Sequence, residues 1–179
     1  MDIVVRTATG ADAAAIATVR TETWRAAYVG LIDQEVLDEL DAEREAERRA
    51  THWDQNHADP RTHEFIAEVD GELAGWAAVG PSRDSDTGNA GEVYALYALP
   101  SYWSTGVGHA LMTTCERFLR EAGFRRGYLW YLEGNERAES FYERHGWLED
   151  GAAKVDDRLV GGREALALRE RRRTRDLVG

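Results

Sequence analysis

Four pieces of sequence decide the fold: Glu92-Val-Tyr-Ala-Leu-Tyr-Ala-Leu99, Gly106-Val-Gly108, Asn135-Glu-Arg-Ala-Glu-Ser-Phe-Tyr142 and Gly146-Trp147. The first is an apolar run typical of a buried strand, and the second opens an apolar helical pattern. Glycine at a strand-to-helix turn lets the backbone approach a ligand, and the first N–H groups of the helix attract anions. This order of parts predicts a phosphate cradle followed by a proton donor.

The rest of the chain adds strands and helices around this stretch. Asp70-Gly71 between two alternating apolar runs is a strong hairpin signal. Residue patterning predicts strands at 3–6, 65–69, 73–79, 92–99, 127–132, 147–154 and 163–169, and helices at 11–28, 33–57, 106–122 and 136–145. The expected fold class is therefore α/β (α+β mixed), with the order βααβββαβαββ and helices on both faces of one mixed sheet. We expect one domain over 1–170 and a frayed basic tail over 171–179.

Composition excludes several kinds of protein. The formal net charge is −11, from 33 acidic and 22 basic residues, so a nucleic-acid partner is not expected. The acidic surface favours cationic substrates, although solubility alone also accounts for it. No apolar run reaches the roughly 20 residues that cross a bilayer, so no membrane partner is expected. The single cysteine, Cys115, excludes an internal disulfide and fits a cytoplasmic location. Lys154 is the only lysine among the basic residues, which is typical of a GC-rich bacterial genome.

Other phosphate and metal sites can be tested against the motifs. A P-loop needs Gly-Lys before Ser or Thr, and Lys154 does not lie in that setting. The dinucleotide fingerprint needs a third glycine where Leu111 stands. The histidines form no convincing ligand set with nearby carboxylates, so we expect no metal; they are His52, His57, His63, His109 and His145.

The combination of Gly106-Val-Gly108 with Asn135-x-x-Ala-x-x-Phe-Tyr142 and Gly146-Trp147 resembles the GNAT superfamily of N-acetyltransferases. The resemblance covers essentially the whole chain and includes the order of elements. It implies a mostly antiparallel sheet whose splayed central strands form a cleft for acetyl-CoA. It also implies transfer of the acetyl group to a primary amine by direct attack in a ternary complex.

The resemblance also implies which residues bind the cofactor. The strand before the loop would pair with the pantetheine arm, and the loop amides would hold the pyrophosphate. The expected cofactor-binding residues are Leu96, Ala98, Leu99, Ser104, Thr105, Gly106, Val107, Gly108, His109, Ala110, Asn135 and Arg137. Many family members carry arginines around this loop, which are missing here. We therefore expect weaker CoA binding, with His109, Arg137 or Arg144 supplying the positive charge.

Two residues are expected to carry the chemistry. The departing thiolate must gain a proton and the attacking amine must lose one. A phenol is protonated at neutral pH, and the resemblance identifies Tyr142 as the acid. Glu92, at the start of the central strand, matches a position where a family glutamate acts as base, often through water. A solvated carboxylate at a strand end would look the same in the sequence.

Three aromatic residues are expected on the acceptor side. Trp24 and Tyr28 lie four apart on the first helix, and Tyr97 faces the opposite way from Leu96. A core stripe would give the same pattern. The expected acceptor is a small-molecule or peptide amine, and the sequence does not identify it. The length of the acyl chain is also left open, and so is whether the protein forms a homodimer. A catalytically inactive CoA-binding module of the same fold is the alternative to an enzyme.

Overall fold

The computed structural model describes residues 1–156 and 167–178. Its strands are β1 (Ile3–Thr7), β2 (His63–Val69), β3 (Glu72–Pro81), β4 (Gly91–Ala98), β5 (Arg126–Leu132), β6 (Leu148–Asp156) and β7 (Leu168–Asp176). Its helices are α1 (Ala13–Ala27), α2 (Gln34–Asp38), α3 (Ala42–Asn56), α4 (Val107–Glu121) and α5 (Glu136–Arg144). None of the helices in these ranges is long and apolar enough to span a membrane.

All seven strands belong to one sheet, in the order β1-β2-β3-β4-β5-β7-β6. Neighbouring strands are antiparallel except for β4 and β5, which are parallel. The predicted mixed, mostly antiparallel sheet is therefore confirmed. The predicted hairpin also forms, and Asp70 and Gly71 adopt φ values of 51° and 85° at its turn. These left-handed values explain why the turn uses Asp-Gly.

Helices cover both faces of the sheet. α4 and α5 pack on one face, where Leu111, Met112 and Trp147 are fully buried. α1, α2 and α3 lie on the other face, where Ile16 and Leu37 are fully buried. We call the side covered by α4 and α5 the α4 face, and the side covered by α1, α2 and α3 the α1 face.

The predicted helix over 33–57 is wrong in one respect, because two helices occupy it. α2 ends at Asp38, and α3 begins at Ala42. The Asp41 side chain accepts a hydrogen bond from the Arg44 N–H at 3.0 Å and so caps α3. Capping by a side chain that precedes the helix competes with a continuous helix at this point.

The C-terminal prediction is also wrong. Residues 168–176 form β7, an interior strand between β5 and β6, whereas a strand over 163–169 and a frayed tail were expected. Residues 163–166 of that predicted strand lie outside the described residues. Arg172 and Arg173 are 9% and 2% exposed and point to opposite faces of the sheet. Each guanidinium is paired with carboxylates from other elements, so the arginine run is compatible with an interior strand.

Candidate active site

The two central strands separate midway along their length. β4 and β5 pair only over Gly91–Val93 and Gly127–Leu129, although both strands continue beyond these residues. Beyond Val93 the backbone edge of β4 that faces β5 has no strand partner within residues 1–156 and 167–178. Such an opening exposes backbone N–H and C=O groups in the middle of a sheet, where an extended ligand can pair with them.

A β-bulge lies at the point where the strands separate. Val79 of β3 is opposite Val93, and Ala78 is opposite Ala95, so Tyr94 is the extra residue. Beyond the bulge, Leu96 packs on the α4 face, and Tyr97 packs on the α1 face. The bulge thus directs the end of β4 so that it presents side chains to both sides of the opening.

The N-terminus of α4 forms one end of the cleft. Gly106 precedes the helix with φ 101°, and the first intrahelical hydrogen bond runs from the Ala110 N–H to the Gly106 carbonyl at 3.0 Å. The N–H groups of Val107, Gly108 and His109 donate to no other residue in the described parts of the chain. These free N–H groups and the helix dipole make this end of the cleft an anion site.

α5 lies against this loop through a close contact. A Cβ atom at Gly108 would lie 3.2 Å from the Phe141 ring, which is closer than a side chain tolerates without a shift. The contact explains why the second glycine and Phe141 occur together in the sequence. It holds α5, and Tyr142 with it, beside the anion site.

Asn135 begins α5. Its Oδ1 accepts a hydrogen bond from the Ala138 N–H at 3.2 Å, which is the usual cap of a helix start. The side-chain NH2 group makes no hydrogen bond to the described residues and lies at the wall of the cleft. Asn135 thus has donors available for a ligand while its oxygen stabilises the helix.

The cleft between β4, α4 and α5 encloses about 340 Å³. Most of the sequence-predicted cofactor residues line it: Leu96, Ala98, Ser104, Gly106, Gly108, His109, Asn135 and Arg137. The other four do not. Val107 is fully buried, so only its N–H group can reach the anion site. The Ala110 N–H is used within the helix.

Thr105 and Leu99 are turned away from the cleft by their own hydrogen bonds. The Thr105 hydroxyl donates to the Tyr102 carbonyl at 2.7 Å, so its proton is not directed to a ligand. The Leu99 N–H donates to the Ala74 carbonyl of β3 at 2.8 Å. By strand alternation, the backbone groups of Leu96 and Ala98 therefore face the opening.

Tyr142 lines the cleft from α5 and is 8% exposed. Its hydroxyl makes no hydrogen bond to another described residue. Burial raises the pKa of Tyr142 well above its ordinary value, and the nearby phenol of Tyr97 and thiol of Cys115 add to the increase. The phenol is therefore protonated at neutral pH and can donate. Burial likewise raises the pKa of the Cys115 thiol, so this cysteine is not a nucleophile.

A second cavity of about 640 Å³ lies on the α1 face. The three aromatic residues predicted on the acceptor side, Trp24, Tyr28 and Tyr97, all line it. The Trp24 and Tyr28 rings meet edge to face with centroids 5.1 Å apart. Tyr28 and Tyr97 also line the first cleft, as does Trp130 of β5. The two cavities therefore meet at the opening between β4 and β5.

Glu92 borders the second cavity, but its carboxylate is already engaged. The Arg83 guanidinium donates to both oxygens at 2.6 and 3.1 Å, and the Arg83 N–H donates at 3.1 Å. The Tyr128 hydroxyl donates at 2.7 Å. Glu92 itself is 2% exposed. Charge-assisted donors of this kind fix the position of the carboxylate and occupy both of its oxygens.

The positive charges around the cleft are few. Arg137 stacks on Trp103 with its Cζ 3.7 Å from the ring centroid. Arg144 is exposed and forms no ion pair with a described residue. His109 Nδ1 lies 2.9 Å from His145 Nε2 at the same end of the cleft. Arg137, Arg144, His109 and His145 all line the cleft and can donate hydrogen bonds to a ligand there.

Sequence reasoning missed the residues that hold the end of β4. The Ala98 carbonyl, which faces the cleft, accepts from the Trp103 indole N–H at 2.9 Å and from the Thr23 hydroxyl at 3.2 Å. The only feature of the sequence that could have identified Trp103 was its position just before the glycine loop. Thr23 lies 75 residues from Ala98, and no local pattern identifies it.

Comparison with known proteins agrees with this geometry. Residues 22–147 match the model of the acetyltransferase (GNAT) family. The chain is 30% identical over 134 residues to YuaI of Bacillus subtilis (strain 168), described as an uncharacterized N-acetyltransferase. This match covers 74% of the chain and 73% of YuaI.

Solved structures share the fold at lower identity. The PaiA N-acetyltransferase of Thermoplasma acidophilum, in complex with coenzyme A, superposes with a TM-score of 0.73 at 19% identity, over 98% of this chain and 99% of PaiA. YncA from Salmonella typhimurium, with its cofactor acetyl-CoA, gives a TM-score of 0.71 at 18% identity, over 98% and 94% of the two chains. Because the family model covers well over half of the sequence, the chain belongs to the GNAT family and is an N-acetyltransferase.

Proposed function

We propose that the protein transfers an acetyl group from acetyl-CoA to a primary amine by direct attack, with both substrates bound together. The meeting of the two cavities at the opening between β4 and β5 is the observation that carries this proposal. A donor in the first cleft and an acceptor in the second would approach each other there without a covalent enzyme intermediate. The buried, poorly nucleophilic thiol of Cys115 agrees with direct transfer.

The anion site suits the pyrophosphate of CoA. The free N–H groups of Val107, Gly108 and His109 point outward from the start of α4, and Gly106 carries no side chain to obstruct them. His109 and Arg144 add donors at the same end. Neutral amides then provide most of the binding, as expected for a loop without arginine.

The pantetheine arm would extend along the unpaired edge of β4. The backbone N–H and C=O of Leu96 face the cleft, and Asn135 lines the same cleft at the start of α5. An extended chain with amide groups can hydrogen-bond to both walls, much as an added strand does. This arrangement would bring the thioester towards Tyr142.

Tyr142 would act as the general acid. Acetyl-CoA supplies an activated acyl group and a thiolate leaving group. The Tyr142 phenol is held protonated by burial, and its hydroxyl has no hydrogen-bond acceptor among the residues that the structure describes. It can therefore donate its proton to the thiolate as the bond to carbon breaks.

The role of Glu92 as the general base stays a prediction. The contacts of its carboxylate do not favour that role. Proton uptake at Glu92 would weaken its pairing with Arg83 and its hydrogen bond from Tyr128. The contacts favour a positioning role instead, because Glu92 ties the loop after β3 to the point where β4 and β5 separate.

The proposal is tested by thiol release from acetyl-CoA with a panel of primary amines, together with calorimetric titration of CoA. We expect saturable CoA binding and thiol release that depends on the amine. CoA binding without amine-dependent release from any amine would refute acetyl transfer and support an inactive binding module.

A further inference from the structure

Two histidines form a hydrogen-bonded chain at the N-terminus of α4. His145, directly after α5, has its Nδ1 atom 2.8 Å from the Phe141 carbonyl oxygen. Its Nε2 atom lies 2.9 Å from Nδ1 of His109, which belongs to the first turn of α4. Both side chains line the cleft between β4, α4 and α5. The chain therefore runs from a backbone carbonyl through two rings and ends at His109 Nε2, which makes no hydrogen bond to a described residue.

The backbone carbonyl fixes the positions of the ring protons. A carbonyl oxygen only accepts hydrogen bonds, so His145 carries its proton on Nδ1. When both rings are neutral, His145 Nε2 is an acceptor, and His109 must donate to it from Nδ1. The remaining nitrogen, His109 Nε2, then has only a lone pair. A neutral pair thus presents an acceptor to the cleft, and an acceptor does not suit a phosphate oxygen.

One added proton reverses this arrangement. If the proton is on His109, its Nε2 atom becomes an N–H donor. If the proton is on His145, the shared hydrogen bond runs in the opposite direction, and neutral His109 again carries its hydrogen on Nε2. Both forms of the singly charged pair therefore present an N–H group and a positive charge, which a phosphate binds through a charge-assisted hydrogen bond.

We infer that His109 and His145 act as one unit in CoA binding, and that the pair takes up a proton when the pyrophosphate binds beside His109. This inference rests on the proposed acetyl transfer, because it concerns how the acetyl donor is held. It makes His145 a positioning residue, which acts on the cofactor through His109. The pair would supply the positive charge that the arginine-free loop lacks.

Packing against Phe141 holds the pair in place. The His145 and Phe141 ring centroids are 4.2 Å apart, and the His109 and His145 centroids are 5.1 Å apart. Phe141 also lies beside Gly108, where a Cβ atom would be 3.2 Å from its ring. One aromatic side chain therefore contacts both the glycine turn of α4 and the second histidine, which keeps the pair beside the free N–H groups.

Charged and titratable groups from several elements lie around the pair. Four of them line the same cleft, from α5 and from the loop before α4: Tyr102, Arg137, Tyr142 and Arg144. Arg175 of β7 donates to the His145 carbonyl and also to Glu116 of α4. Among these residue types, only histidine ordinarily changes charge between pH 5 and 8. We therefore expect the pair to determine how CoA affinity changes over this range.

The ligand for the test is dephospho-CoA, which keeps the pyrophosphate but lacks the 3′-phosphate. A phosphate monoester titrates at about pH 6 and would add its own proton uptake to the measurement. Calorimetric titration in buffers of different ionisation enthalpy counts the protons taken up on binding. Titrations between about pH 6 and pH 8 give the pH dependence of Kd.

Three variants are compared with wild type: His109→Gln, His145→Phe and His145→Gln. His145→Phe removes the shared hydrogen bond. His145→Gln can restore it, because the amide NH2 donates to the Phe141 carbonyl and the amide oxygen accepts from His109. His52→Gln is the matched control. The His52 Nδ1 atom contacts the Arg48 carbonyl at 2.9 Å, one helical turn away as in His145, but His52 lines neither cavity.

We expect wild-type protein to take up about half a proton per dephospho-CoA near pH 7. Its Kd should rise about fivefold from pH 6 to pH 8, the size of one partly exposed charge-assisted hydrogen bond. His109→Gln and His145→Phe should lose most of the proton uptake and of the pH dependence. His145→Gln should retain more of both than His145→Phe, and His52→Gln should match wild type.

Two results would overturn the inference. One is wild-type protein that binds dephospho-CoA near neutral pH without proton uptake. The other is a proton uptake in His109→Gln or His145→Phe equal to that of His52→Gln; the exposed His109 provides this test even if the His145 variants fold poorly. Either result leaves acetyl transfer intact, whereas wild-type protein without CoA binding or amine-dependent thiol release would refute the proposed function.

Discussion

The guanidinium of Arg137 lies over the indole of Trp103, with its Cζ 3.7 Å from the ring centroid. Arg137 belongs to α5, and Trp103 belongs to the loop before α4, so this contact joins the two walls of the cofactor cleft. The Trp103 indole also donates to the Ala98 carbonyl at the end of β4. One tryptophan thus connects the three elements that surround the cleft.

Replacement of Arg137 should weaken CoA binding. Arg137→Gln removes both the stacked contact and a positive charge at the cleft, and we expect a Kd about 3- to 10-fold higher, the range of a partly exposed cation–π contact with added charge. The difference from wild type should shrink at high salt. Calorimetric titration of CoA at two ionic strengths measures both effects. Arg171→Gln is the control, since Arg171 pairs with Glu133 outside the cleft. An equal loss of CoA affinity in Arg171→Gln would show that the net charge of the protein, and not the position of Arg137, determines CoA binding.

A methyl group at Gly108 should separate α4 from α5. Its Cβ would lie 3.2 Å from the Phe141 ring, so one of the two helices must shift. We expect Gly108→Ala to cost about 1–2 kcal/mol of unfolding free energy and to weaken CoA binding, measured by urea denaturation and calorimetry. Adding Phe141→Leu should recover part of the CoA affinity. If the double variant binds CoA more weakly than the two single variants together predict, the close contact between Gly108 and Phe141 is not the cause of the lost CoA affinity.

Arg173 should matter for both stability and activity. It is 2% exposed, and it donates to the Trp147 carbonyl and to Glu139 and Glu143 of α5, the helix that carries Tyr142. We expect Arg173→Met to lower the unfolding free energy by about 2 kcal/mol, less than for a fully buried pair because the carboxylates are partly exposed. The value of kcat should also fall, because α5 loses its hydrogen bonds with Arg173 and Tyr142 is then held less firmly.

The neighbouring arginine provides the control for this variant. Arg171 lies two residues earlier on the same strand and is 41% exposed. Arg171→Met should change the unfolding free energy by no more than about 0.5 kcal/mol. Equal destabilisation by the two variants, measured in urea, would show that the contacts of Arg173 with α5 are not important.

Stability should decrease in acid partly through Asp12. The hydrogen bonds from the Arg6 guanidinium lower the pKa of Asp12 from 3.8 to about 2. A depressed folded-state pKa contributes stability above pH 3.8, and this contribution is lost as the pH falls towards 2. Arg6 is 40% exposed, so we expect only about 1 kcal/mol from the pair.

Asp12→Asn isolates this contribution. The variant should be less stable than wild type at pH 6, and the difference should shrink steadily as the pH falls from 3.8 through about 2, where Asp12 loses its charge in the folded protein. Urea denaturation at a series of pH values measures the difference. A gap that stays constant down to pH 2 would mean that the Asp12 charge is not the source of the stability.

The elements that line the candidate cofactor cleft were predictable because their signals are local in the sequence. The glycine helix start, Gly106-Val-Gly108, lies within a few residues, and Tyr142 follows the capping residue Asn135 by only two helical turns. Each segment forms its local structure largely from its own residues. Four predicted cofactor residues nevertheless do not line the cleft with their side chains, because side-chain direction and hydrogen bonding do not follow from the motif.

The acceptor side and the C-terminal strand depend on contacts between distant residues. The run Arg169–Arg175 looks like a solvated tail until Asp86, Asp150 and the carboxylates of α5 are brought beside it. The bulge at Tyr94 depends on register with β3, which no local pattern encodes. Lys154 and Glu170 meet only because β6 and β7 pair in one particular register.

Replacement of Tyr142 by phenylalanine tests the central claim most directly. The change removes only the hydroxyl that is proposed to protonate the thiolate, and it leaves the ring contacts with Tyr131 and Phe141 in place. With acetyl-CoA and a competent primary amine, Tyr142→Phe should lower kcat about 100-fold or more while CoA affinity and thermal stability remain those of wild type. A variant that keeps wild-type kcat would contradict the role of Tyr142 as the acid in acetyl transfer.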